Sequence, residues 1–391
     1  MKASLVKIDS TEIQIAVSGR IDADSESSLE KFIFGIESFK EKKSVVLDFT
    51  QTEYISSAGL RFLLKIMKAG KDLRVINVPH DVYDVFEMTG FTELCTIQKA
   101  YRQVDVTGCK IIGAGANGVV YRLDSEKILK LYTKPNVLDS IVKEKAHARF
   151  AFLQGIPTAI SFDIVKVGEK FGSIFELLEA KSVATHFIQQ PETLDHYVEP
   201  YTNLLKLLHS TPYVERDGIQ LVPYRDRFKK YIELIRENCG DSLYTTLCNF
   251  LDEIPESSTM LHGDCHPFNV MVTKEEMVFI DMDTLTYGNP IFDLGTLYSS
   301  IIVLDKFVPE ERRLYKCPGE LTNLFWEKTF CKYFKDLADD ERAAKLASCK
   351  VIAFTLALAF SLKHPNIVIE GADKNTRELL EKAISEHSSK R

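Results

Sequence analysis

The chain lacks long hydrophobic runs, paired-cysteine motifs and basic tracts, and each absence removes a class of protein. The longest apolar run, Val351 to Leu362, is shorter than the roughly 20 residues that a membrane helix needs. Lys350 and Lys363 bracket it, so the run reads as a buried helix and no membrane association is expected. The opening MKASLVKIDSTEIQIAV alternates apolar and polar residues where a signal peptide would have a basic segment and a hydrophobic block, so no signal peptide is expected. Eight cysteines are scattered without a CxxC pair or Cys/His ligand spacing, which argues against a zinc site or a disulfide framework. They read as reduced thiols and point to the cytoplasm. Net charge is −7 with Lys and Arg dispersed, so no nucleic-acid partner is expected. Glycine and proline are sparse, at 19 and 13 in 391 residues, which excludes long disordered stretches.

What is present is enough material for two or three domains. Over residues 1–102 strand and helix patterns alternate: LVKI, EIQIAVSG, a helix from Ser25 to Phe39, SVVLDF, a turn, a helix from Ala58, and LRVINV. This predicts a small α/β layer domain. VVLDF is a continuous apolar run, as expected of a central strand covered on both faces. Two serines, Ser56 and Ser57, precede the helix that carries Leu60, Leu63, Leu64 and Ile66. A serine there can cap the helix by accepting free backbone amides, or can carry a phosphate that the helix dipole favours; the residue pattern allows both.

The segment resembles a STAS domain, the fold of anti-sigma factor antagonists. The resemblance is carried by Gly19-Arg20-Ile21-Asp22, Leu47-Asp48-Phe49, Tyr54 through Leu60, and Val85-Phe86 to Gly90-Phe91. It implies an anti-sigma factor or another regulator as partner, and Ser57 as the phosphorylatable serine two places before the glycine. The chain departs from the family's D-S-[ST]-G-L loop in having Ser56 for Asp and Ala58 for the hydroxyl residue.

Residues 103–391 read differently. A strand at Cys109–Ile112 leads into GAGANG, residues 113–118, then VVYRL, a turn and ILKLY, which is the pattern of a hairpin with a glycine-rich tip. Gly113, Gly115, Asn117 and Gly118 are candidates to let backbone amides approach phosphates. Lys130 on the following strand would face the phosphates, and Glu144, on a helix from Asp139 to Leu153, is the chosen partner for its ammonium. Ser173 to Glu179 reads as a strand running into a hinge for a nucleotide base. Residues 187–260 carry helical i, i+3, i+4 spacing.

LHGDCHPFNVMVTKEEMVFIDMD, residues 261–283, then places Asp264, Asn269 and Asp281 in one order between short apolar strands. An aspartate can deprotonate an acceptor hydroxyl, and an amide oxygen with a carboxylate can hold Mg²⁺ against phosphates. His262 and His266 read as bracing the loop, since no soft ligands accompany them at zinc spacing. Cys265 reads as filler. Asp241, Glu253 and Glu256 are candidates to line a pocket for a cationic acceptor.

Residues 105–391 resemble the aminoglycoside phosphotransferase and choline kinase branch of the protein-kinase-like fold, through His262-Gly263-Asp264-Cys265-His266-Pro267-Phe268-Asn269. The resemblance implies a bilobal α+β domain with a smaller lobe over 103–180 and a larger one over 181–391. It also implies ATP and Mg²⁺ as cofactors, Asp264 as catalytic base, Asn269 and Asp281 as metal ligands, and Asp293 as a structural acid. Two functions follow as expectations. One is phosphoryl transfer from ATP to a hydroxyl of a small molecule, with a regulatory module ahead of it. The other is a signalling switch whose kinase-like domain binds nucleotide or phosphorylates Ser57.

Overall fold

The computed structural model describes residues 1–390 apart from 116, 117, 135, 136, 217 and 311–316, and divides into two compact units, Met1–Gln103 and Val104–Arg391.

The first unit is a five-stranded sheet, β1 (Lys2–Ile8), β2 (Glu12–Ile21), β3 (Ser44–Ile55), β4 (Asp72–Val78) and β5 (Thr96–Lys99), in sequential order. β1 pairs antiparallel to β2 and the remaining pairs are parallel. Parallel neighbours require crossovers, supplied here by α1 (Ala23–Phe34), α2 (Ser57–Lys68) and α3 (His80–Met88). Val45, Leu47 and Phe49 of β3 are fully buried and pack with Phe62, Leu63 and Ile66 of α2 and with Phe86 of α3.

Three boundaries in particular differ from the sequence reading. α1 starts at Ala23 because Asp22 and Ser25 form a reciprocal cap, and it stops at Phe34, where Gly35 ends it before a short 3-10 turn at Glu37–Lys40. β3 continues through the expected turn to Ile55, because Ser18 to Ile21 of β2 pair with Gln51 to Ile55.

The second unit begins with an antiparallel sheet of β6 (Lys110–Gly115), β7 (Gly118–Arg122), β8 (Lys127–Tyr132), β9 (Ser161–Val167) and β10 (Lys170–Glu176), in the order β6-β7-β8-β10-β9. α4 (Leu138–Leu153) follows β8. The chain then forms β11 (Lys181–Ser182), α5 (Val183–Gln189), α6 (Leu194–Ser210) and α7 (Tyr224–Glu253). Four short strands come next, β12 (Met260–Leu261), β13 (Val270–Val272), β14 (Met277–Phe279) and β15 (Thr286–Tyr287). Helices α8 (Ile291–Tyr298), α9 (Leu304–Phe307), α10 (Gly319–Tyr333), α11 (Asp339–Lys363) and α12 (Ala372–Ser389) complete it.

The apolar run Val351–Leu362 becomes the centre of α11, a 25-residue helix long and apolar enough to cross a membrane by length and composition. In the fold its buried residues, Val351, Ile352, Ala353 and Leu358 among them, join the helical core.

Candidate active site

The site is assembled where β8 and α4 meet the loop and hairpin between β12 and β15. Lys130 sits on β8, which lies between β7 and β10, so its side chain can leave the strand only above or below the sheet. Its Nζ lies 2.9 Å from Glu144 Oε1 on α4 and 2.8 Å from Asp281 Oδ1. Burial opposes the lysine charge, but the carboxylates of Glu144 and Asp281 outweigh it and hold the ammonium protonated, with its pKa raised. Tyr132 Oη donates to the other oxygen of Glu144, Oε2, at 2.8 Å.

Gly115 pairs with Gly118 across the tip of the β6–β7 hairpin. A Cβ on Gly118 would lie 2.1 Å from the Leu131 carbonyl oxygen, so only glycine fits between β7 and β8 there. Gly113 meets nothing closer than Val120 at 3.7 Å. Asn117 lies outside the described residues.

The loop before β13 is held from behind. Asp293 on α8, fully buried, accepts the amides of His262 at 2.7 Å and Gly263 at 2.8 Å, and lies 3.1 Å from His209 Nε2. Burial works against the Asp293 charge, yet these bonds and the His209 and His262 imidazoles hold its pKa below the usual carboxylate value. His262 Nδ1 accepts from the Asp264 amide at 3.3 Å while Nε2 donates to the Ile280 carbonyl at 3.1 Å, which fixes one neutral tautomer. Burial lowers its pKa further against the pull of Asp293 and Asp264. Gly263 has φ +82, and a Cβ there would meet the Thr284 carbonyl oxygen at 2.5 Å. Arg227 Nη1 on α7 donates to that same carbonyl at 3.0 Å. Cys265 is fully buried, its thiol pushed well up by burial, as suits a packing residue.

Hairpin pairing brings the distant candidates together. Val270 pairs with Phe279, and the Ile280 amide donates to the Asn269 carbonyl at 2.9 Å, so Asn269 and Asp281 flank one backbone bond. Asn269 Nδ2 donates to the Asp264 carbonyl at 2.9 Å, leaving its amide oxygen as the acceptor end. Asp281 adopts φ 62 and ψ 55, a left-handed conformation uncommon outside glycine and met at functional sites. Asp264 is part-exposed, with His266 Nε2 3.6 Å from its Oδ2.

These residues suit a hard dication. Burial, then the carboxylates of Asp281 and Glu144, push Asp283 up to about 7, with Lys130 opposing them and Asp264 adding to the same field. The cluster is therefore short of positive charge. Among the described residues no group of three or more His, Cys, Asp or Glu side chains forms a cage for a metal ion. The donors present, the Asp281 carboxylate and the Asn269 amide oxygen, fit Mg²⁺, which takes one or two carboxylates and completes its shell with water and phosphate oxygens.

Other sequence candidates do not converge here. Asp241 pairs with Arg236 at 3.1 Å on the surface, Glu253 lies 3.6 Å from His387, and Glu256 is exposed, so they form no common pocket among the described contacts. In the first unit Ser56, not Ser57, caps α2, accepting from the Ala58 and Gly59 amides at 3.2 and 3.5 Å. Ser57 is exposed on the first turn. Gly59 is required by packing, since a Cβ would meet Ile55 at 2.7 Å and Ile21 at 2.8 Å.

Sequence reasoning missed Tyr132, Arg227 and His147. The last, buried on α4, places Nδ1 3.3 Å from the Met282 carbonyl. Glu144 and His147, three apart, lie on one helix face, and that spacing with the Lys130 pattern was the available signal.

Comparison with known proteins agrees with this architecture. Residues 108–321 match the model of the phosphotransferase enzyme family, and residues 2–105 match that of the STAS domain. The protein LicA homolog of Mycoplasma capricolum subsp. capricolum is 31% identical over 105 residues, which is 26% of this chain and 42% of that protein. The chain thus spans less than half the length of this curated relative. Among solved structures, a thermostable mutant of aminoglycoside phosphotransferase APH(4)-Ia, in ternary complex with AMP-PNP and hygromycin B, aligns with a TM-score of 0.50 at 13% identity. That alignment covers 72% of this chain and 94% of the other and is a likeness of fold. Choline kinase LicA from Streptococcus pneumoniae aligns with a TM-score of 0.44 at 13% identity, over 78% of this chain and 99% of its own. With a family model covering more than half of its length, the chain belongs to the phosphotransferase enzyme family and carries an N-terminal STAS domain.

Proposed function

We propose that the protein transfers the terminal phosphoryl group of ATP to a hydroxyl of a small molecule. The observation that carries this reading is the convergence of Lys130, Glu144, Asp264, Asn269 and Asp281, drawn from β8, α4 and the β12–β15 segment, around one cluster. Asp264 takes the proton of the acceptor hydroxyl as its oxygen bonds to the γ-phosphorus; the bond from that phosphorus to the bridging oxygen breaks and ADP leaves. Lys130, aimed by Glu144, binds the inner phosphates, and the amides of Gly113, Gly115 and Gly118 cover them. Asn269 and Asp281 would hold Mg²⁺, which when bound neutralises phosphate charge. His262, Asp293 and Arg227 keep the Asp264 loop in place. With eight free thiols, a reducing cytoplasmic setting suits the chain.

The test is an ADP-release screen with Mg-ATP over aminoglycosides, choline-like amines and sugars, and over the protein alone. Acceptor-dependent release supports the reading. Nucleotide binding without release for any acceptor would favour a second reading, supported by the exposure of Ser57 outside the helix cap. In it, the STAS domain binds an anti-sigma factor or other regulator, and the kinase-like domain sets its state by binding nucleotide or by phosphorylating Ser57. Mass spectrometry of the protein after incubation with Mg-ATP distinguishes these, since phosphate on Ser57 is required only by the latter.

A further inference from the structure

We propose that Tyr132 is a positioning residue of the phosphate clamp, fixing the Glu144 carboxylate so that one oxygen alone is presented to Lys130; this rests on the phosphotransferase reading. Lys130 and Tyr132 are two apart on β8, so both project from the same face of the sheet, toward α4. Glu144 meets them with different oxygens, Oε1 at 2.9 Å from Lys130 Nζ and Oε2 at 2.8 Å from Tyr132 Oη. Its side chain is 8% exposed, so water is poorly placed to substitute for either bond. A carboxylate held by lysine alone can turn about its last torsion, and Lys130 has a competing partner in Asp281 at 2.8 Å. The tyrosine bond removes that freedom. The Tyr132 ring also lies 5.2 Å from Lys130 Nζ, within cation–π reach.

Phenylalanine at 132 would keep the ring and its packing and delete only the bond to Glu144.

The experiment uses the full chain as wild type, Tyr132→Phe, Tyr132→Met, Glu144→Ala and the Tyr132→Phe/Glu144→Ala double variant. Mg-ADP affinity is read by calorimetry, ATP and acceptor KM by steady-state kinetics, and Lys130 accessibility by labelling the ligand-free protein with an amine-reactive ester and peptide mass spectrometry. Removing one hydrogen bond to a buried charge should weaken Mg-ADP binding about tenfold in Tyr132→Phe and raise Lys130 labelling several-fold, with acceptor KM unchanged. Because Tyr132 acts through Glu144, the double variant should match Glu144→Ala within about twofold in both readouts. Equal losses from Tyr132→Phe with and without Glu144, or unchanged labelling in a folded Tyr132→Phe, would overturn the proposal. If Tyr132→Phe does not fold, Tyr132→Met, which likewise deletes the hydroxyl, takes its place, with increased Lys130 labelling expected and unchanged labelling counting against the proposal. Should the wild type bind no nucleotide, the phosphotransferase reading falls, and labelling still decides the role of Tyr132.

Discussion

Asp293 accepts the His262 amide at 2.7 Å from a position with no solvent exposure, so one carboxylate on α8 anchors the loop that carries Asp264. It also receives Gly263 N and faces His209 Nε2. Replacing Asp293 with alanine should leave two buried amides without an acceptor and lower unfolding stability by about 3 kcal/mol or more. Urea denaturation measures this. The asparagine variant, which retains an acceptor oxygen, should lose less.

Asp264→Ala should behave differently, because that side chain is part-exposed and its contacts are long, 3.6 Å to His266 Nε2 and 3.5 Å to Asn269 Nδ2. Turnover should fall about 10²–10⁴-fold, the usual contribution of a positioned base, while the thermal midpoint and Mg-ADP affinity stay near wild type. Unchanged turnover would remove Asp264 from its assigned role.

Asp264, Asn269 and Asp281 were legible in the sequence because a short hairpin joins them, and hairpin register follows from local alternation. The Lys130–Glu144 pair was legible because a helix directly follows the strand. Tyr132 gave no signal: a tyrosine in a strand usually reports packing, and its bond to Glu144 depends on the angle at which α4 lies on the sheet. His147 meets a carbonyl 135 residues away, so its spacing from Glu144 could give its helix face but not its partner. The same distinction holds in the first unit, where four of the five strands were readable, while β5 at Thr96–Lys99, the extension of β3 to Ile55 and the end of α1 were not, the last because Gly35 lies inside an otherwise helical pattern.

The glycine-rich hairpin yields a paired test. Gly118→Ala places a methyl 2.1 Å from the Leu131 carbonyl oxygen and must shift β7 from β8, at a cost of about 1–3 kcal/mol, with weaker nucleotide binding. Gly113→Ala meets only Val120 at 3.7 Å and should leave stability within about 0.5 kcal/mol of wild type. Thermal unfolding of the two variants side by side checks the difference.

Metal dependence follows from the acid cluster. Chelation with EDTA should abolish turnover, and added Mg²⁺ should restore it. Asp281→Asn removes one candidate ligand charge and also releases Lys130 from its second carboxylate. Its Mg²⁺ requirement should rise at least about tenfold, read from ADP release at varied Mg²⁺. An unchanged Mg²⁺ profile in this variant would argue against Asp281 as a ligand.

His147 gives the stability a dependence on pH. Burial, then the Lys143 and Arg227 charges, outweigh the opposing bond to the Met282 carbonyl and bring its pKa from 6.5 to about 4, so the folded protein holds it neutral. In the unfolded chain it takes up a proton once pH falls below 6.5. Its contribution is therefore complete above that value and is lost progressively down to about 4, where the folded form titrates too. The loss over this window is about 3 kcal/mol by linkage. Asp293, with its lowered pKa, loses stability at still more acid pH, so the difference between variants is the informative quantity. His147→Gln keeps a donor for the Met282 carbonyl and cannot titrate. Urea unfolding of both proteins from pH 7 to pH 4.5 should show the wild type losing stability more steeply, and parallel curves would mean that His147 does not set this dependence.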